Sequence, residues 1–416
     1  MLPRHAAQIR HTDDQSGSRR RRESFEFRLM FRFVQRATMR AFMCSALAGL
    51  VLHQLSGCST PPAPQASVAP ASPTPAAPQQ ASTDTLQQPQ SSLALNNTAP
   101  ADSYARRSDA RELAWSLAAE YQLDPQWVWA AVSEARQKES VAKLMMPPPA
   151  ATGKNWALYR SRFVEPIRIK AGVSFWRQHA TTLQRAEQLY GVPAHIIAGV
   201  LGVETIYGRQ MGNFRVLDAL TTLSLDFPKG RSDRSAFFRS ELGQFLTLCH
   251  EQNVAPASVL GSYAGAIGLP QFMPSSIRKW GVDFDGDGKV DLRNSPVDAI
   301  GSVAHYLAEH GWRAEWPSYF DITPPEDTWA LNKLLAPDIR PSFSAEDMQA
   351  LGATLAEPAL NHPGKLALVK LENGGATATL IAGTANFYAI TRYNQSSYYA
   401  LAVIKLGEAV RRDASR

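Results

Sequence analysis

Pro193-Ala194-His195-Ile196-Ile197-Ala198-Gly199-Val200-Leu201-Gly202-Val203-Glu204-Thr205-Ile206-Tyr207 is the stretch on which the fold turns. Ile197, Val200, Leu201 and Glu204 fall at i, i+3, i+4 and i+7, the spacing of one helical face. This predicts a helix over 193–206 whose apolar stripe ends in a carboxylate. A carboxyl group on such a face loses its water, which favours the neutral form and raises its pKa. A protonated acid near neutral pH is what an alkoxide needs in order to leave a glycosidic bond. The pattern alone can also be read as a helix-end Glu paired with Arg209 or reaching solvent.

Working outward, residues 172–190 carry helical spacing and are separated from the acid helix by Tyr190-Gly191-Val192-Pro193. Asp109–Ala119 and Pro125–Val141 also show apolar residues three to four apart, with Asp124-Pro125 as N-cap and first helical residue. Pro147-Pro148-Pro149 closes that region, and further helices are expected over about 233–252 and 296–310. Strand patterns come late, at Leu366–Leu371, Ala376–Ile381 and Phe387–Thr391, with Asn373-Gly374-Gly375 as a hairpin turn. The class is mainly α (α+β) with a small antiparallel β subdomain.

The formal net charge of the 416-residue chain is +6, and all of it lies in residues 1–57, which hold ten Arg against four acids. The remainder is balanced, so bulk charge gives no support for binding nucleic acid. Arg28, Arg32, Arg36 and Arg40 flank an apolar run, Ala41–Leu55, of signal-peptide length and too short to span a membrane. Leu55-Ser56-Gly57-Cys58 resembles a bacterial lipobox, which makes Cys58 the expected lipidation site. From Ser59 to Asp102 the chain is a Pro-, Ala-, Gln- and Ser-rich tether with nine prolines between 61 and 100. It would reach roughly 35–40 Å on average and about 140 Å when stretched. With Cys44 removed and Cys58 lipidated, Cys249 is left without a partner and reads as a buried small hydrophobe.

Beyond the acid, Glu204-Thr205-Ile206-Tyr207-Gly208 is followed by Gly261-Ser262-Tyr263-Ala264-Gly265, Gln271-Phe272-Met273-Pro274 and Pro296-Val297-Asp298-Ala299-Ile300-Gly301. These strings, collinear from about Trp156 to Leu406, resemble the membrane-bound lytic murein transglycosylase B family. The resemblance implies a lysozyme-like catalytic core and peptidoglycan glycan strands as substrate, cleaved between N-acetylmuramic acid and N-acetylglucosamine. It further implies a non-hydrolytic reaction in which one Glu, here Glu204, acts as acid and then as base to give a 1,6-anhydromuramoyl product. No cofactor is expected for the chemistry. Substrate contacts carried over one by one are Tyr159, Arg234, Ser262, Gln271, Tyr306, Tyr393 and Asn394. Phe237 stands where the family more often has Tyr, which removes one hydroxyl contact. The rivals are a hydrolytic muramidase, with Asp218 or Asp226 as second acid, and an inactive wall-binding lipoprotein.

Asp283-Phe284-Asp285-Gly286-Asp287-Gly288-Lys289 follows the start of an EF-hand loop: acids at positions 1, 3 and 5, Gly at 6, a main-chain carbonyl at 7. Position 12 is Asn294 and not Glu, so a free-standing calcium sensor is not expected. The resemblance implies that Asp298 closes a structural Ca2+ site with Asp283, Asp285, Asp287 and the carbonyl of Lys289. His305 and His310 are five apart, unsuited to a shared metal on one helical face. The chain then divides into a signal peptide with lipobox (1–57), a tether (58–102), a helical domain (103–190), the catalytic core with its calcium loop (191–320), and a β subdomain with C-terminal helix (321–416). The expected setting is a monomer on the periplasmic face of the outer membrane, touching the membrane through its lipid only.

Overall fold

The computed structural model describes residues 98–146 and 153–416. The basic leader, Cys58 and all but the last five residues of the tether lie outside the described residues.

The acid helix, Ala194–Thr205, is buried along almost its whole length, Ile196 through Val203 included. Its first amide, that of Ala194, donates to the Glu187 carboxylate at 3.1 Å, so the preceding helix caps it. The C-terminal helix, Ser397–Ala414, packs on it at very short range. A Cβ added at Gly199 would stand 2.3 Å from the Val403 carbonyl oxygen, and one at Gly407 would stand 2.0 Å from that of His195. Only hydrogen at these two positions lets the backbones meet. The helices Pro166–Gln178, Ala180–Tyr190 and Pro296–Glu309 complete the wall around the acid helix.

Around this centre the helices largely follow the sequence pattern, with informative exceptions. Asp124 caps Pro125–Glu134 by accepting from the Trp127 amide at 2.7 Å. The helix expected to run on to Val141 stops at Ala135, which is extended at ψ 152, and a short helix resumes over Glu139–Met145. Residues 172–190 form two helices that break at His179. Phe387–Thr391, expected as a strand, is helical within Ala385–Tyr393. Thr384 caps that helix by accepting from the Asn386 amide, and Asn386, Phe387, Ala389 and Ile390 are buried in helical spacing. An aromatic and β-branched composition reads as strand, but here the cap decides.

The sheet has four antiparallel strands in the order Thr354–Leu355, Tyr319–Thr323, Ala376–Gly383, Ala367–Asn373. The expected hairpin is present, with Gly374 and Gly375 both at positive φ. Alternation along its last strand splits the core. Ala367, Val369 and Leu371 join the main apolar cluster. Leu366 and Leu368 join a smaller one with Leu334 and Met348. A two-stranded pair, Phe214–Arg215 with Leu260–Gly261, anchors the loop that carries Ser262 and Gln271.

Candidate active site

Glu204 lies in the last turn of the acid helix and is partly exposed, whereas its neighbours Val203 and Thr205 are buried. The helix stops because Ile206 and Tyr207 adopt left-handed backbone, at φ 52 and φ 55, followed by Gly208 at φ 87. Thr205 fixes this turn: its hydroxyl donates to the Leu269 carbonyl at 2.9 Å and accepts from the Gly208 amide at 2.9 Å. The acid is thereby presented at the mouth of the helix on a backbone that cannot continue past it.

Among the described residues no cation pairs with Glu204; Arg209 is exposed and forms no ion pair with it. Its hydrogen-bond partner is Tyr399, whose hydroxyl donates to Oε1 at 2.8 Å. Burial pushes the Glu204 carboxyl up to about 8, and the Tyr399 hydroxyl pulls it partly back. Tyr399, Tyr393 and Tyr159 all have their phenols raised, by burial first and by the Glu204 charge second. Glu204 is therefore ringed by three tyrosines, held neutral at neutral pH, and accessible from one side.

The other expected residues divide into two groups. Tyr393 donates to the Pro270 carbonyl and lies 4.9 Å from the Tyr306 ring, centroid to centroid. The Tyr306 hydroxyl donates to the Arg392 carbonyl at 2.8 Å, tying the Pro296–Glu309 helix to Ala385–Tyr393. Asn394 is buried, and its Oδ1 has no hydrogen-bond partner. Gln271 sits at φ 51 and donates to the Gly268 carbonyl at 2.9 Å and to that of Met211 at 3.2 Å. Tyr159 packs 4.9 Å from Phe163 and 5.8 Å from Tyr398.

The described contacts of two further residues are with their own loops. The buried Ser262 hydroxyl accepts from the Ala266 amide at 3.0 Å and braces its own loop. Arg234 lies over the Phe237 ring at 4.5 Å, in the Phe227–Ser235 loop, and its described contacts do not include Glu204. Tyr399 was not anticipated, although its position carried a signal. It shares a helical face with Ala402, Val403, Leu406 and Val410, all buried.

The two rival acids are committed elsewhere. Asp226 accepts from Arg107 at 2.7 Å and from the Tyr104 hydroxyl at 2.6 Å. Asp218 accepts from the Arg136 amide at 3.0 Å and is flanked by Arg215 at 3.7 Å and Lys138 at 3.9 Å. Both anchor the N-terminal helices.

In the acidic loop, carboxylate oxygens of Asp283, Asp285 and Asp287 lie within 4.8 Å of one another. Gly286 and Gly288, at φ 80 and φ 88, turn the backbone so that amides of Gly286, Asp287 and Gly288 donate to Asp283. Asp298 is buried outside this trio and accepts from the amides of Phe284 at 2.8 Å, Asp285 at 3.3 Å and Asp291 at 2.8 Å. Ser295 caps the next helix and donates to Asp285 at 2.7 Å. Loop and helix are thus one unit, with the clustered carboxylates facing outward. That donor set fits a hard divalent cation such as Ca2+, which takes oxygen ligands.

A family model described as Transglycosylase SLT domain matches residues 105–408. The chain belongs to this family. The match covers the acid helix, the tyrosine ring, the Ser262–Gln271 loop and the acidic loop together. The chain is 37% identical over 319 residues to membrane-bound lytic murein transglycosylase B of Escherichia coli (strain K12), covering 74% of this chain and 84% of that protein. Soluble lytic transglycosylase SltB1 from Pseudomonas aeruginosa superposes with a TM-score of 0.67 at 39% identity, covering 74% of this chain and 100% of that one. The Escherichia coli lytic transglycosylase Slt35 in complex with calcium superposes at 0.66 with 37% identity, over 75% of this chain and 96% of that one. SltB3 of Pseudomonas aeruginosa in complex with NAG-anhNAM-pentapeptide superposes at 0.63 with 28% identity, over 73% of this chain and 79% of that one. The SLT chain has the helix-rich, lysozyme-like fold expected from its sequence and is homologous to lytic murein transglycosylases.

Proposed function

We propose that this SLT chain cleaves the MurNAc-β-1,4-GlcNAc bond of peptidoglycan without water, using Glu204 alone as acid and then base. The supporting observation is a neutral, partly exposed Glu204 bonded to Tyr399, while the two candidate second acids, Asp218 and Asp226, are held in ion pairs elsewhere. With its carboxyl pushed up to about 8, Glu204 carries a proton at neutral pH and can give it to the glycosidic oxygen as the bond breaks. The resulting carboxylate then takes the proton of the muramoyl C6 hydroxyl as that oxygen closes on the anomeric carbon. The products are a free GlcNAc 4-hydroxyl and a 1,6-anhydromuramoyl end. Tyr399 steadies Oε1 throughout, leaving Oε2 as the proton-carrying atom. The bound anhydro sugar of SltB3 supports this outcome.

Tyr159, Tyr306, Tyr393, Asn394 and Gln271 are proposed to line the sugar sites, and the unpartnered Asn394 Oδ1 is suited to accept from a sugar amide or hydroxyl. Ser262 and Arg234 are proposed as more distant supports, through the loop and through Phe237. Calcium is proposed to bind Asp283, Asp285 and Asp287, with the Lys289 carbonyl as a further donor and Asp298, which also braces the loop through its amide contacts, closing the site. Its contribution is order and not chemistry, and the calcium complex of Slt35 supports it. The chain is further proposed to act as a monomer tethered by a lipid on Cys58 to the periplasmic face of the outer membrane. Among the described residues no helix is long and apolar enough to cross a membrane, and the 37% identical relative is named as membrane-bound.

Digestion of purified sacculi followed by mass spectrometry tests the reaction. Fragments with 1,6-anhydro ends are expected from the wild type and none from Glu204→Gln. Reducing muramic acid ends would overturn it.

A further inference from the structure

A hollow of about 400 Å³ lies along the C-terminal helix, and its lining includes Trp156, which stacks on Tyr159. Trp156 forms one wall of it, and Arg160, Lys405, Glu408 and Arg412 supply its polar lining. The short helix Trp156–Phe163 therefore serves two places at once. It presents Tyr159 to Glu204, and it presents Trp156 and Arg160 to the hollow. Trp156 stacks on Tyr159 at 6.3 Å, so a residue lining the hollow touches a residue of the tyrosine ring.

The charges in the hollow do not cancel. Lys405 is neutralised by Glu408 at 3.0 Å and donates to the Tyr319 hydroxyl. Arg412 meets Asp413 through Nε at 3.0 Å, and no described contact uses its two terminal nitrogens. Arg160 is exposed and has no acidic partner among the described residues. One whole guanidinium and the fork of a second thus face the same space beside an apolar wall. Guanidinium forks match carboxylates in a two-bond geometry that ammonium groups do not offer.

We infer that this hollow receives a carboxylate of the peptide stem carried by the muramic acid in the cleft, with Arg160 and Arg412 as its ligands. The inference rests on the peptidoglycan reading above and adds a specificity site to it. A pentapeptide, such as the one carried by the SltB3 ligand, ends in a carboxylate by its chemistry. Five extended residues span at most roughly 17 Å. Measured along the helix from Tyr399, Lys405 lies roughly 9 Å away and Arg412 roughly 20 Å away. An extended stem that starts beside Tyr399 therefore spans Lys405 and stops short of the Arg412 backbone; helical side chains lean toward the helix N-terminus, which brings the Arg412 guanidinium back toward Lys405 and the terminal carboxylate.

The test compares glycan strands bearing intact stems with the same strands stripped of peptide by an amidase. Wild-type chain should cleave the stem-bearing strands with the higher kcat/KM. Arg160→Ala and Arg412→Ala should each lower that value about tenfold, through KM, while stripped strands are cleaved at an unchanged rate. Arg160→Lys should recover part of the loss, and Arg160→Glu should deepen it. The inference is overturned if the variants lose activity on both substrates equally, or on neither. If the wild type releases nothing from either substrate, the peptidoglycan reading falls, and this site falls with it.

Discussion

The acid helix and the acidic loop are two ways of placing carboxylates, and they lead to opposite chemistry. Glu204 stands alone against apolar side chains and tyrosines, with no cation to share its charge, so it holds a proton. Asp283, Asp285 and Asp287 crowd together where water reaches them, and backbone amides outweigh partial desolvation to lower the Asp283 pKa. One arrangement suits a proton donor; the other suits a cation. Desolvation without a partner and clustering in solvent are what separate them.

The sharpest way to break this contrast is Glu204→Gln. Loss of the proton donor should lower muropeptide release by about 10³-fold or more, with retention on sacculi unchanged in a pull-down. Activity within a few-fold of wild type would leave the acid helix without a catalytic role.

Close packing is what dries the acid helix, and Gly407→Ala tests it. The new Cβ would meet the His195 carbonyl at 2.0 Å, so unfolding in urea should show a loss of about 3 kcal/mol. Gly286→Ala in the loop meets nothing within 4 Å and should cost only the strain of its positive φ, about 1 kcal/mol.

Tyr399→Phe sharpens the contrast at the acid itself. It removes the one hydrogen bond that lowers the Glu204 pKa, so turnover should fall about tenfold. The alkaline limb of the pH–rate profile, near pH 8 in the wild type, should move upward. The sign for stability follows from the same shift. The folded-state pKa of Glu204 is raised from 4.5 to about 8, so the folded chain binds the extra proton across that window. Stability should therefore fall as pH rises through it, and Glu204→Gln should flatten that slope in thermal melts.

A comparably small effect is expected from emptying the loop. Chelating calcium present at about ten times its Kd should lower stability by about 1.4 kcal/mol. Asp285→Ala should remove that difference, with the Glu204 pH profile left where it was.

The acid helix was legible because its signal is local: three apolar residues and one carboxylate in two turns. The acidic loop was legible for the same reason, as acids and glycines at alternating positions. Tyr399 was not, because 195 residues separate it from the carboxylate it touches. Its place depends on the backbone contact between Gly199 and Val403, which no periodicity reports. Phe387–Thr391 misled because its side chains suit a strand while the cap at Thr384 starts a helix. The strands Tyr319–Thr323 and Thr354–Leu355 passed unnoticed, being short and only partly buried. Asp298 was expected among the metal ligands. Its two oxygens also accept from three backbone amides, a use that depends on how the loop folds back and that no spacing reports.

Product analysis of a sacculus digest bears most directly on a single carboxylate acting first as acid and then as base. Wild-type chain should release muropeptides ending in 1,6-anhydromuramic acid, each lighter by one water than its hydrolytic counterpart, and Glu204→Gln should release none. Products ending in reducing muramic acid, or the same anhydro products from Glu204→Gln, would contradict it.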